Sequence, residues 1–208
     1  MVNIHYFYDP MCGWCYGATP LVAALVENKA VNLQFHPAGM LDSKLISREF
    51  RSHIIAADTN ISTLTGVLFG QAYIQRIKTE KELILDSYLP IQAILAAQQQ
   101  GITEYTILSA LQQSHYQKGL PVNELATLVT LASQLGANEN KFKNDIAENK
   151  QQALERISQS KAMMSKFAVQ GFPTLLIETA NGFERLAHND FYDDVKLWEN
   201  YINSYLEQ

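Results

Sequence analysis

The chain has 208 residues, enough for one domain or one domain carrying a large insertion. Its 47% apolar and 18% charged residues exclude a disordered or fibrous chain and allow a core without disulfide staples. A net charge of −5 attracts neither nucleic acid nor an anionic membrane surface, and no apolar run approaches the roughly 20 residues needed to span a bilayer.

No basic segment precedes an apolar stretch at the N-terminus, where Asp9 and Pro10 intervene early. No secretory signal is therefore read, and the cytoplasm is the expected compartment. Residues 2–8 are apolar, β-branched and aromatic, and predict a buried central strand stopped by Asp9-Pro10. Residues 13–28 turn to helical spacing. Residues 31–36 alternate Val31, Leu33 and Phe35 as a second strand, ended by Pro37 and Gly39. Together these predict a right-handed parallel βαβ unit.

The middle of the chain is helical. Segments near 43–58 and 64–78 are amphipathic. Ser87 is the expected N-cap of a helix running to Gly101, with Pro90 in its first turn. Thr103 and Asn123 cap the next two, which stop at Gly119 and Gly136. A shorter helix near 139–148 precedes a long one over 150–169, with Leu154, Ile157, Met164 and Ala168 on one stripe. Strand character then returns at 174–177. Asn181-Gly182 predicts a hairpin with a return strand at 183–187, and residues 191–206 close the chain as a helix. The order βαβ, helical block, ββα predicts an α/β fold with a four-stranded mixed sheet and a large helical insertion.

Cys12 and Cys15 are the only cysteines, too few for a secreted disulfide framework. They sit as Cys12-Gly13-Trp14-Cys15 at a strand-to-helix junction, where unpaired N–H groups and a partial positive charge stabilise a thiolate on Cys12. Cys12 would attack a substrate disulfide and Cys15 would resolve the mixed disulfide. A structural zinc site needs four ligands, and neither a second cysteine pair nor histidines at ligand spacing exist here, so no metal is expected. Two inert core cysteines are the remaining bland possibility. A CxxC beside a βαβ pattern favours the redox pair.

Gly171-Phe172-Pro173-Thr174 opens the late strand, and proline is tolerated at a strand's first position. Here the chain resembles the thioredoxin superfamily. A helical block between βαβ and ββα resembles the DsbA family within it. The stretches YDPMCGWCYG at 8–17, LTGVLFGQAY at 64–73, SHYQKGLPV at 114–122 and GFPTLLI at 171–177 resemble the FrnE-like branch of predicted cytosolic protein-disulfide isomerases or oxidoreductases.

The resemblance spans essentially the whole chain. It implies a discontinuous thioredoxin-like domain at 1–40 and 165–208, with a helical domain inserted at 41–164. It implies that Cys12 is the nucleophile and Cys15 the resolving thiol. It also implies a cis Phe172–Pro173 bond beside the dithiol, with Trp14, Gly171, Phe172, Pro173 and Thr174 binding substrate. Many members of the branch carry Pro-Trp where this chain has Gly13-Trp14, and the secretory DsbA proteins carry Pro-His. Without that histidine, thiolate stabilisation should be weaker. The expected potential is then nearer thioredoxin's roughly −270 mV than DsbA's roughly −120 mV.

Trp14 is expected to be exposed at the helix start rather than packed on the helical block. His36 reads as structural, Met11 as groove-lining or packed, Tyr6 and Tyr8 as core, and Met163 and Met164 as helix packing. The expected partners are protein or peptide disulfides, with no cofactor beyond the dithiol and glutathione as a candidate redox partner. Neither nucleic acid nor membrane is expected, and oligomeric state is left open. Two alternatives stand beside this reading. One is a glutathione-dependent enzyme like the kappa-class transferases and chromene-carboxylate isomerases, which use a serine where Cys12 sits. The other is a peptide-binding chaperone without catalysis, which would not require two cysteines in register.

Overall fold

The computed structural model describes residues 1–206. The apolar opening forms β1 (Val2–Tyr8), at the centre of a four-stranded mixed sheet. β2 (Val31–Pro37) runs parallel to it on one side, with Tyr6 opposite Phe35. On the other side β5 (Thr174–Thr179) runs antiparallel, with Tyr6 opposite Leu175, and β6 (Gly182–Arg185) forms the edge. The sheet order is β2-β1-β5-β6, a four-stranded mixed sheet as the βαβ and ββα pieces predict. Strand alternation assigns the faces of β1. Ile4, Tyr6 and Tyr8 enter the main core with Cys12, Cys15 and Leu21, while Phe7 packs with Val169 and Leu176 on the opposite face.

The helix expected over 13–28 is two helices, α1 (Gly13–Gly17) and α2 (Thr19–Glu27), broken at Ala18. Pro20 stands in the first turn of α2 and has no N–H to give the carbonyl of Tyr16. After β2, a two-residue ladder joins β3 (Lys44–Leu45) to β4 (Ile84–Leu85). Strands this short carry no periodicity, and β3 occupies the start of the segment near 43–58 that reads as helical.

Between and beyond them lie α3 (Arg48–Thr65), α4 (Gln71–Thr79), α5 (Tyr88–Gln98), α6 (Glu104–Tyr116), α7 (Leu125–Gln134) and α8 (Glu139–Glu148). α9 (Lys150–Lys166) leads back to the sheet. A 3-10 turn (His188–Phe191) precedes α10 (Val195–Leu206), which is anchored by buried Trp198 donating its indole N–H to the Leu21 carbonyl at 3.0 Å. No helix among the described residues is long and apolar enough to cross a membrane.

Several local expectations shift. Thr103 caps α6 as predicted, accepting from the Thr106 N–H. Ser87 precedes α5, but its side chain does not cap. Asp86 does, accepting from the N–H groups of Tyr88 and Leu89, while the Ser87 hydroxyl donates to Asp9. α7 starts after Glu124 without a side-chain cap, not at Asn123. In α9 the buried stripe is Ala153, Ile157 and Ser160, and Leu154 is exposed. The small Ala153 fits against Ile91 and Leu95 of α5, which a leucine at that position would crowd. The hairpin pairs Thr179 with Gly182, so its two-residue loop is Ala180-Asn181, one position earlier than expected. Gly182 takes a positive φ of 115°.

Candidate active site

Cys12 is the N-cap of α1. Its backbone is still extended, and its Sγ accepts from the Cys15 N–H at 3.4 Å. The strand-to-helix turn before it is held by Asp9, a fully buried carboxylate. Asp9 accepts from the N–H of Met11 at 2.8 Å, the N–H of Met40 at 2.6 Å and the Ser87 hydroxyl at 2.7 Å. Burial pushes its pKa up, and those hydrogen bonds oppose the shift. Asp9 thus ties the turn before the dithiol to the chain after β2 and to the start of α5. The sequence marks Asp9-Pro10 as a turn but says nothing of the distant partners.

The two sulfurs differ in environment. Cys12 keeps 7% of its surface accessible, whereas Cys15 has none. Burial, reinforced by a hydrogen bond to Cys12 and by Cys12's charge, pushes the Cys15 thiol well above its ordinary pKa. One sulfur at the rim and one beneath is the asymmetry expected of an attacking and a resolving thiol.

Phe172 and Pro173 lie on the other wall. Their peptide bond is cis, and the Phe172 carbonyl stands 3.7 Å from Cys12 Sγ, where it accepts from the thiol. A groove of about 420 Å³ opens there, lined by Trp14, Leu64, Gly171, Phe172, Pro173, Arg185, His188, Asn189 and Tyr192. His188 holds this wall from behind, donating from Nε2 to the Pro173 carbonyl at 3.2 Å. Burial lowers its pKa to about 4, which keeps the imidazole neutral at pH 7.

Trp14, Gly171, Phe172 and Pro173 are therefore brought together with Cys12. Two expectations need correction. Trp14 is half-buried rather than exposed. It stacks on Tyr192, between the sheet and α10, with ring centroids 5.9 Å apart. Thr174 is fully buried and does not line the groove. Its hydroxyl donates to the Gly171 carbonyl at 2.8 Å and accepts from Arg185 at 3.1 Å, so it shapes the wall from inside.

His36 is structural, as read: it lies between Phe7 and His5 on the face away from Cys12. Met11 is packed and absent from the groove lining. Tyr6 and Tyr8 are core, although the Tyr6 hydroxyl reaches the Cys15 carbonyl at 3.5 Å. Leu64, Arg185, His188 and Tyr192 escaped the sequence reading because they come from α3, β6 and the turn before α10. No local pattern marks them.

A cis-proline wall facing a CxxC helix on a β2-β1-β5-β6 sheet defines a thioredoxin-like site with a helical insertion. The chain belongs to the DSBA-like thioredoxin domain family, a family of thiol–disulfide oxidoreductases, and the match spans residues 3–196. Among solved structures it is similar to the cytosolic disulfide reductase DsbM from Pseudomonas aeruginosa. They share 28% identity, covering 99% of this chain and 98% of that one, with a TM-score of 0.91. The same reductase with glutathione bound gives a TM-score of 0.90 at 28% identity, covering 99% and 100% of the two chains. A candidate protein disulfide isomerase from Nitrosomonas europaea shares the fold at 20% identity and a TM-score of 0.81, covering 100% and 98%. A 2-hydroxychromene-2-carboxylate isomerase shares it at 11% and 0.62, covering 99% and 97%. No curated protein matches the sequence.

Proposed function

We propose that the protein is a cytoplasmic, FrnE-like thiol–disulfide oxidoreductase that reduces or isomerises protein or peptide disulfides through Cys12 and Cys15. In this reading residues 1–40 and 165–208 carry the chemistry, and 41–164 form an inserted helical domain. The supporting observation is the Cys12 sulfur itself. It caps α1, accepts from the Cys15 N–H at 3.4 Å, and stands 3.7 Å from the carbonyl of Phe172, which lines the groove.

The Cys12 thiolate attacks one sulfur of the substrate disulfide. A Cys12–substrate disulfide forms and the other substrate sulfur leaves as a thiolate. Cys15 then attacks Cys12, and the second substrate sulfur leaves. Cys15 must ionise for that step, and part of its raised pKa comes from the charge and hydrogen bond of Cys12. Forming the mixed disulfide removes both, so Cys15 ionises more readily at the stage when it must attack. An extended substrate would pair with the Phe172 backbone, a mode with little sequence preference.

Glutathione is the reductant this groove suits, as a small thiol with two carboxylates. Arg185 is the charged side chain in the groove lining, and glutathione is what the similar DsbM carries in its structure. Arg185→Ala should raise the KM for glutathione about fivefold, the worth of one partly exposed ion pair, with kcat little changed. An unchanged KM would remove Arg185 from the binding site. The pair should need no metal. Chelation should leave both fold and activity intact, whereas stoichiometric zinc lost together with the fold would contradict the redox reading.

The direct test of the proposed function is a redox titration of Cys12–Cys15 against glutathione, with an insulin-reduction assay. A dithiol that never equilibrates with glutathione and reduces no insulin would refute it. The kappa-like alternative loses ground because a cysteine, with a second beneath it, occupies the position those enzymes give to serine.

A further inference from the structure

α1 lies directly on α3, and both of its glycines sit at the contact. A Cβ at Gly17 would stand 2.8 Å from Ile61 Cγ2, and a Cβ at Gly13 would stand 2.8 Å from Asp58 Oδ1. A side chain on the residue bonded to Cys12 would thus run into a carboxylate. Asp58 belongs to the buried face of α3, with Ile61 and Thr65, and retains only 6% of its surface. Its partner is the Tyr73 hydroxyl of α4, which donates to Oδ2 at 2.7 Å. Among the described residues no lysine, arginine or histidine forms an ion pair with it. The Tyr116 ring of α6 bridges the two sides of this contact, stacked on Tyr16 of α1 with centroids 4.7 Å apart and edge-on to Tyr73 at 5.2 Å.

We infer that Asp58 is a positioning residue for the dithiol, whose negative charge disfavours the Cys12 thiolate and makes the pair a stronger reductant. The inference rests on the Cys12 nucleophile proposed above. The charge does not touch the substrate and acts through Cys12. Asp58 lies against the residue next to Cys12, and two negative charges so placed in poorly solvated surroundings repel. The thiolate exists only in the reduced protein, so the repulsion raises the energy of the reduced form alone and shifts the equilibrium toward the disulfide. A pair whose reduced form is destabilised donates electrons more readily. The same contact accounts for a glycine at position 13: any side chain there would strike Asp58.

Burial raises the Asp58 pKa to about 6, opposed by the Tyr73 hydrogen bond, so the carboxylate is largely ionised at pH 7.5. The titratable groups around it are Tyr73 from α4, with Tyr116 and His115 of α6 and Arg76 of α4 beside that ring, and Cys12, next to the Gly13 contact. Burial holds both tyrosines and His115 neutral at that pH and Arg76 is paired with Glu80, which leaves Cys12 as the group able to answer its charge.

The test is the equilibrium of the Cys12–Cys15 disulfide with two glutathione thiols, giving the dithiol and one glutathione disulfide, measured at pH 7.5. Asp58→Asn keeps the shape and can still accept from Tyr73. It should raise the equilibrium constant for reduction about three- to tenfold, and should move the midpoint of Cys12 alkylation to lower pH. Should that variant fail to fold, Asp58→Ser must show the same sign. Equal constants and equal alkylation midpoints in a folded, active variant would overturn the inference while leaving the proposed function standing. A wild-type Cys12 that neither alkylates nor equilibrates with glutathione would overturn the proposed function instead.

Discussion

Cys12→Ser should bring disulfide reduction to background, whereas Cys15→Ser should stop turnover and leave protein covalently joined to its substrate. The difference follows from the two sulfurs. Cys12 caps α1 beside Phe172, a residue of the groove lining, and keeps the 7% of accessible surface through which a substrate sulfur can reach it. Cys15 has no accessible surface, and burial pushes its thiol up, so it cannot replace Cys12 as the first attacker. Serine at position 12 therefore removes the step that forms the first bond. Serine at position 15 removes only the step that breaks it. Incubation of each variant with glutathione disulfide or oxidised insulin, followed by intact mass measurement, checks this. The Cys15→Ser protein should carry one stable adduct that a reductant removes, and the Cys12→Ser protein none. An adduct on Cys12→Ser, or reductase activity persisting in it, would reverse the assignment. Wild-type protein should show the adduct only transiently, because ionisation of Cys15 becomes easier once Cys12 is capped.

The parts of this site legible in the sequence are those that lie within a few residues of each other. Cys12 and Cys15 share one turn, and the Gly171-Phe172-Pro173 wall is one short stretch opening β5. The strands were equally open to reading, because β1 and β5 are apolar runs bounded by proline or a turn. What stayed hidden depends on contact between elements far apart in the chain. Asp9 reads as half of a turn signal, yet its carboxylate is fixed by Met40 and Ser87. Gly13 reads as a departure from the family's dipeptide, yet it is where α3 presses Asp58 onto α1. Arg185 and Tyr192 reach the groove from the hairpin and from the turn before α10. Periodicity also misplaced the stripe of α9, because it ranks residues by hydrophobicity and cannot see that α5 leaves room only for Ala153.

Gly70→Ala should be the most destabilising single methyl addition in the inserted region, and the reason joins two stretches far apart in the chain. Gly70 lies in the stretch 64–73 and Gly119 in 114–122, and the two stretches meet backbone to backbone. The Gly70 N–H donates to the Tyr116 carbonyl at 2.8 Å. A Cβ on Gly70 would stand 1.9 Å from the Gln117 carbonyl oxygen and 2.7 Å from its carbon. Gly70 has an ordinary extended backbone, φ −72° and ψ 154°, so space alone forbids a side chain there. Gly119 is bound twice over: its φ is 68°, and a Cβ would lie 2.7 Å from the Ala72 carbonyl carbon.

Neither obstacle at Gly70 is a side chain that can swing away, so α4 and the end of α6 would have to separate. Overpacking of this kind costs about 3 kcal/mol, at the upper end of such changes. For a chain of this length that lowers Tm by roughly 6–12 °C. The contact also supports the dithiol. The Tyr16 hydroxyl, one residue beyond Cys15, donates to the Leu68 carbonyl at 2.8 Å and accepts from the Gln117 amide at 2.8 Å. Both stretches therefore hold the end of α1, and prying them apart loosens the helix that carries Cys12 and Cys15. Gly66→Ala is the control. Its φ of 72° is equally positive but the space around it is open, so the cost should be only about 1–2 kcal/mol. Thermal unfolding of the two variants separates the effects. A Gly70→Ala protein melting within about 2 °C of the wild type, or above Gly66→Ala, would show that the two stretches are not locked together as the backbone contact requires.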